Sequence, residues 1–465
     1  MTQDPLQRTL KHIDQNQTQA IDRLKELIAI PSISTLPEHQ KDCDSAAQWL
    51  KHQLEPLGFE VSIHPTHSHP IIKADYTAST GSYVVFYGHY DVQPVDPISQ
   101  WHHPPFEGKI KDMDGKKVIT GRGASDDKGQ MMTFIEACRA FIHETGSLPC
   151  SVTCILEGDE ENDPSAISTF LKTHKPQLEN ADCLLICDTQ NWNEHTPAIT
   201  TSLRGLVAYE LTLSGPASDL HSGMYGGVIQ NPLQVLCQLL GSIHDRHGHV
   251  LIPGFYDDIH VPETLRNQAR QLPFSPDSLL EETGAQAIWG EPNHSIAETL
   301  WFLPTFEVNG IIGGHIGDGC KTIIPSVASA KITCRLAPGQ QPMAITTHIE
   351  QFLKQHCPSG TKLTLKSTCE GMPGLAINPD HQLMYTIQNA LNDEWQARPA
   401  LIGFGGSIPA TIAFHEILNI DCCMLIGFAS RDDNIHAPNE HFGLSTFHRG
   451  TRSWARILWA LGLPS

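Results

Sequence analysis

Apolar residues recur at helical spacing over residues 5–30 (Leu6, Leu10, Ile13, Ile21, Leu24, Leu27, Ile28), and Pro31 ends the run. A second helix is expected over 45–57, closed by Gly58. Short apolar runs then alternate with helical stretches: strands over 83–87, 152–156 and 183–187, with a helix over 130–143 between the first two. Such alternation predicts an α/β layer with a mostly parallel sheet flanked by helices. Beyond Arg204 the pattern changes. Strand-like runs at 206–213, 305–308, 328–335 and 361–366 interleave with helical runs at 232–243 and 344–356. The order β-α-β-β-α-β predicts a ferredoxin-like α+β domain. Residues 247–300 are a long, proline-containing stretch to which the pattern assigns no element. After Pro373 the α/β character resumes, with helices over 384–392, from 410 and over 446–461, and a strand over 422–426. The expected organisation is one α/β domain in two segments, 1–204 and 375–465, with a smaller domain, 205–374, inserted between them.

A chain of 465 residues suits two domains better than one core. Its net charge of −20 would be repelled by a phosphate backbone or an anionic lipid surface, so neither nucleic acid nor membrane is expected as a partner. The N-terminal thirty residues hold no apolar core of signal-peptide type, and no run approaches the ~20 apolar residues of a membrane span. The 13 cysteines lack paired C-x-x-C spacing, and several lie in apolar strand-like runs, which fits a reduced, cytoplasmic protein.

Five segments bring acidic or histidine residues to the end of an apolar run, where open α/β sheets place their ligand sites. In Gly88-His89-Tyr90-Asp91 an extended H-x-D puts both side chains on one face, so His89 can bind metal through one ring nitrogen while Asp91 fixes the other. In Gly123-Ala124-Ser125-Asp126-Asp127 the aspartates either cap the following helix or supply a carboxylate that bridges two metals. Glu157-Gly158-Asp159-Glu160-Glu161 carries four acidic residues in five positions after a buried run; one can ligate a cation and its neighbour act as a general base. Asp188 closes the fourth run, and His436 lies in a polar loop after the fifth. Taken singly, each segment also reads as a capped helix or a solvated turn. Together His89, Asp126, Glu161, Asp188 and His436 form a donor set suited to two zinc or manganese ions, and the lack of cysteine argues against a closed structural zinc site.

The strings GHYDVQPVDP, GRGASDDKGQ, EGDEEN, CDTQNW, LHSGMYGG, GGSIP and NIHAPNE resemble, in order and across nearly the whole chain, the carnosinase and cytosolic nonspecific dipeptidase family. Wider relatives of that family include aminoacylase, succinyl-diaminopimelate desuccinylase and a bacterial glutamate carboxypeptidase. The resemblance implies a catalytic α/β domain, with the inserted domain as lid and dimer surface. It implies two divalent ions per subunit, Zn2+ foremost, with Mn2+ or Co2+ also suited. One would be held by His89, Asp126 and Asp188, the other by Asp126, Glu161 and His436, with Asp126 bridging through a cis peptide to Asp127. Asp91 would orient His89, and Glu160 would be the general base for a metal-bridging water. His221 would reach the site of the other subunit of a homodimer and polarise the oxyanion. Thr322, Arg335 and Ser407 would contact the substrate, with Arg335 facing its carboxylate.

The activity so implied is amide hydrolysis in dipeptides or short peptides; N-acyl amino acid hydrolysis is the alternative, and a non-catalytic metal-binding protein the remote one. One departure bears on substrate choice. Where relatives often carry Arg-Glu before Gly-Gly-Ser-Ile-Pro, this chain has Gly403 and Phe404, an apolar ring suited to an apolar side chain or an acyl group.

Overall fold

A computed structural model describes residues 4–163 and 165–463. The chain forms two compact units. The first comprises residues up to Thr201 together with Ile377–Ile402 and the stretch from Pro409 onward; the second comprises Ser202–Ala376 and Gly403–Ile408.

The first unit is built on a mixed sheet whose centre is parallel. Strand Tyr83–His89 pairs in parallel with Ser151–Glu157 on one side and with Cys183–Ile186 on the other, and Cys183–Ile186 pairs in parallel with Cys423–Leu425. These strands are buried along almost their whole length, as expected for strands covered on both faces. Two antiparallel strands, Glu60–His64 and Ile71–Tyr76, extend the sheet at the edge beside Ser151–Glu157. Helix Lys128–Thr145 packs against Leu444–Gly462 and Pro5–Gln15. Its residues from Lys128 to Cys138 are all buried, which explains why an apolar stripe is hard to see in its sequence.

The single helix expected over 5–30 is two, Pro5–Gln15 and Gln17–Ile28. Asn16 separates them at φ −112°, its side-chain amide donating to His12 O at 2.9 Å. An asparagine offers the backbone such a local alternative to the helical ladder.

The second unit has an antiparallel sheet of four strands in the order Thr305–Gly313, Val327–Leu336, Gly205–Ser214, Lys362–Ser367. With helices Pro232–Gly241 and Pro342–His356 this is the ferredoxin-like arrangement. Burial alternates residue by residue along Gly205–Ser214, whose inward side chains Val207, Tyr209, Leu211 and Leu213 meet Leu236, Ile349 and Leu353 in one core. The strand expected to stop at 308 continues to Gly313 past a register shift between Val308 and Gly310. A bulge there, on an exposed edge, interrupts the period-2 pattern. The unassigned stretch 247–300 contains helices Glu263–Gln271 and Pro276–Thr283 and begins a third, Ile296–Phe302. Among the described residues no helix is long and apolar enough to cross a membrane.

Candidate metal centre

The donor groups lie at the end of a strand of the first unit or in the segments that follow its strands. His89 is the last residue of its strand. Its Nε2 lies 3.0 Å from Asp126 Oδ1, and its Nδ1 lies 3.2 Å from Asp91 O and 3.3 Å from Asp91 Oδ1. Asp91 also reaches the neighbouring acidic turn, where it accepts the backbone N–H groups of Glu160 (3.3 Å) and Glu161 (3.0 Å). One buried carboxylate thus sets both the ring of His89 and the backbone that carries two glutamates.

Asp126 sits at the centre, joined to Asp127 by a cis peptide bond. Its second oxygen, Oδ2, is 2.9 Å from His436 Nε2, which is itself 3.0 Å from Glu161 Oε1. Gln93 donates to the other oxygen of Glu161 at 2.8 Å. Two donor triads result, His89–Asp126–Asp188 and Asp126–Glu161–His436, and within each triad the ligand atoms lie within 4.8 Å of one another.

The electrostatics of this cluster fit a cation. Burial pushes Asp188 well above the usual carboxylate range, and the negative charge of Asp126 adds to that. Burial likewise pushes Glu160 up to about 7, opposed by His89 and reinforced by Glu161 and Asp91. Among the described residues no side chain donates a hydrogen bond to either carboxylate. Asp126 is held below the usual range despite its burial, because His436 and His89 both bond to it. His436 in turn is raised to about 10 by Asp126 and Glu161. Carboxylates gathered this closely, two of them without donors, are costly to keep charged in the absence of positive charge. Oxygen and imidazole donors with no thiolate suit zinc, manganese or cobalt.

The remaining residues expected at the site belong to the second unit. His221 is exposed on the short strand Leu220–His221, which pairs with Ile323–Ile324, and its Nδ1 accepts from Gly223 N at 3.0 Å. The Ser222 N–H donates to Thr322 O at 3.0 Å, so the His221 segment and Thr322 are neighbours. Arg335 and Ser407 meet directly, with Arg335 Nη1 donating to Ser407 Oγ at 3.2 Å.

Residues 85–460 match the model of peptidase family M20/M25/M40. The chain belongs to this peptidase family. It is 27% identical over 481 residues to the Cys-Gly metallodipeptidase DUG1 of Saccharomyces cerevisiae, covering 97% of each chain. It is 29% identical to the human Beta-Ala-His dipeptidase, covering 97% of this chain and 91% of that one. Among solved structures, the M20 family metallo-carboxypeptidase Sso-CP2 of Sulfolobus solfataricus superposes with a TM-score of 0.82 at 27% identity, over 95% of this chain and 99% of that one.

The geometry of this peptidase adds residues that sequence reasoning gave no role. Glu440, fully buried, accepts the backbone N–H groups of Gly123 (3.0 Å), Ser125 (2.9 Å) and Asp126 (3.0 Å), and Arg122 Nη1 at 2.8 Å. Asp433 accepts from Ser125 Oγ at 2.7 Å and from Ser430 N at 2.8 Å. Lys128 Nζ donates to the carbonyls of Leu27 (3.1 Å) and Ile30 (2.6 Å), tying the start of its helix to the end of another. Only the position of Glu440, four residues after His436 in a polar loop, hinted at its part.

Proposed function

We propose that this peptidase is a metal-dependent dipeptidase working with two divalent ions per subunit, zinc foremost. The observation that carries the reading is the pair of donor triads sharing Asp126, with the Glu160 carboxylate among their charges and, among the described residues, hydrogen-bonded by no other side chain. His89, Asp126 and Asp188 would hold one ion; Asp126, Glu161 and His436 would hold the other. Bound there, the pair supplies Lewis-acid polarisation of the scissile carbonyl and lowers the pKa of water.

The chain's own groups do the rest. Asp91 fixes the His89 ring and the backbone of Glu160 and Glu161, so base and ligand are set by one carboxylate. Glu160 takes a proton from the attacking water and returns it to the departing amine. Arg335, with Ser407 bonded to it, receives the substrate's terminal carboxylate, and Thr322 contacts the substrate. In support, Arg335 is half-buried and pairs with a hydroxyl; among the described residues it has no carboxylate partner.

The second unit serves as lid and dimer surface, and the partner subunit's His221 stabilises the oxyanion. Exposed apolar side chains on this unit (Met224, Val228, Ile311, Ile312, Ile316) favour such an interface. All 13 cysteines are free, in keeping with a reduced, cytoplasmic protein.

The test is turnover of a dipeptide panel and of N-acetyl amino acids by the metal-loaded protein. Dipeptides are the better substrates on this reading; turnover confined to N-acetyl amino acids would replace it with an acyl-amino-acid hydrolase.

A further inference from the structure

The turn 403–408 is built to display one aromatic ring. At Gly403 a Cβ would lie 2.4 Å from Trp301 Cβ and 2.6 Å from Ser202 Oγ, so the backbone is pressed against helix Ile296–Phe302 and no side chain fits. Arg204 holds the next part of the turn. Its Nε donates to Gly405 O at 2.9 Å, and its backbone N–H is shared between the carbonyls of Phe404 (3.3 Å) and Gly406 (3.1 Å). Ser407 Oγ donates to Arg204 O at 2.6 Å and accepts from Arg335 Nη1. The ring of Phe404 folds back over Gly406, where a Cβ would meet its Cε1 at 2.7 Å. The result is a benzyl group lying against Gly406, the residue before Ser407, with 37% of Phe404 still exposed.

Arg204 and Arg335 lie close enough to repel each other: Arg204 is pushed down to about 10 by burial and by Arg335. Among the described residues neither guanidinium has a carboxylate at ion-pair distance. One turn therefore carries both Ser407, which accepts from Arg335, and an exposed apolar ring three positions before it. In an α-amino acid, carboxylate and side chain leave the same carbon. A guanidinium that captures the carboxylate brings the side chain against whatever stands next to it, and here that is Phe404.

We propose that Phe404 is a specificity-determining residue whose ring packs against the side chain of the substrate's C-terminal residue, selecting dipeptides that end in an apolar residue. The inference rests on the assignment of Arg335 and Ser407 to the substrate carboxylate. Covering ring and side chain together removes apolar surface from water on both partners. A polar or acidic side chain gains nothing there and loses hydration.

The experiment compares kcat/KM of the metal-loaded enzyme for Ala-Leu, Ala-Phe, Ala-Ser and Ala-Asp in the wild type, Phe404→Ser and Phe404→Arg. The wild type should favour Ala-Leu and Ala-Phe over Ala-Ser by about tenfold or more, the scale on which an apolar pocket discriminates. Phe404→Ser should bring that ratio close to unity, mainly through KM for the apolar substrates. Phe404→Arg should move the preference toward Ala-Asp. Dipeptides cleaved with the same selectivity by all three proteins, or a wild type that prefers Ala-Ser or Ala-Asp, would overturn the role of Phe404 and leave the dipeptidase reading standing. No dipeptide cleavage by the metal-loaded wild type would overturn both.

Discussion

Glu440 Oε1 accepts the backbone N–H of Asp126 at 3.0 Å across 314 residues of sequence. The same carboxylate gathers the N–H groups of Gly123 and Ser125 and the guanidinium of Arg122. It is therefore the counterpart around which the loop carrying the shared aspartate folds. Its own burial raises its pKa, and Arg122 opposes that shift. The carboxylate is supported by donors on both oxygens, as a buried charge requires.

Replacing Glu440 with Gln puts an amide where three N–H groups and a guanidinium need acceptors. Metal affinity should fall by about 10–100-fold, the usual cost of losing a group that supports metal ligands. Competition against a graded series of chelators measures this. An affinity equal to that of the wild type would mean that Glu440 does not set the position of Asp126.

Glu160 takes part in neither donor triad, yet it lies among their charges. Glu160→Gln should lower kcat by about 10²–10⁴-fold, the range for losing a positioned general base, while the bound metal stays at the wild-type level. Metal analysis beside steady-state kinetics separates the two effects. Full activity, or loss of metal along with activity, would remove the residue from its assigned role.

Gly129 is the second residue of the buried helix Lys128–Thr145, and a Cβ there would fall 1.9 Å from Ala124 O and 2.9 Å from Phe442 Cδ1. The first obstacle is backbone and cannot rotate away. Gly129→Ala should destabilise the protein by about 1–3 kcal/mol or more, as overpacking does, and lower the midpoint of thermal unfolding. An unchanged midpoint would show that this loop yields more readily than its packing indicates.

Much of the larger layout is legible in the chain, because buried parallel strands read as continuous apolar runs and the second unit's strands alternate cleanly. The antiparallel strands Glu60–His64 and Ile71–Tyr76 are harder to see. The first is largely solvated, and the second carries Lys73 and Asp75 within the strand. The side chains of the two donor triads announce themselves by following apolar runs. Glu440 and Asp433 do not, since their partners are mainly backbone N–H groups and a serine hydroxyl hundreds of positions away, which no local pattern records.

Asp433 gives a pH signature. Burial pushes its carboxyl up to about 7 from an ordinary 3.8. The folded protein thus binds a proton more readily than the unfolded chain between those values, and stability from this group is complete below the lower value and lost as pH rises through the upper one. Relative to Asp433→Asn, the wild type should lose stability as pH is raised across that window. Denaturant unfolding at stepped pH follows the difference, and parallel curves for the two proteins would contradict a raised carboxyl.

The central claim, that Asp126 is shared between two cations, is tested most directly by counting metal. Stripped protein titrated with Zn2+ in a calorimeter should take up two ions per chain, and Asp126→Ala should fail to hold the pair even though its other ligands remain. A wild type that binds fewer than two ions, or an Asp126→Ala protein that still binds both with undiminished affinity, would contradict the shared-carboxylate centre.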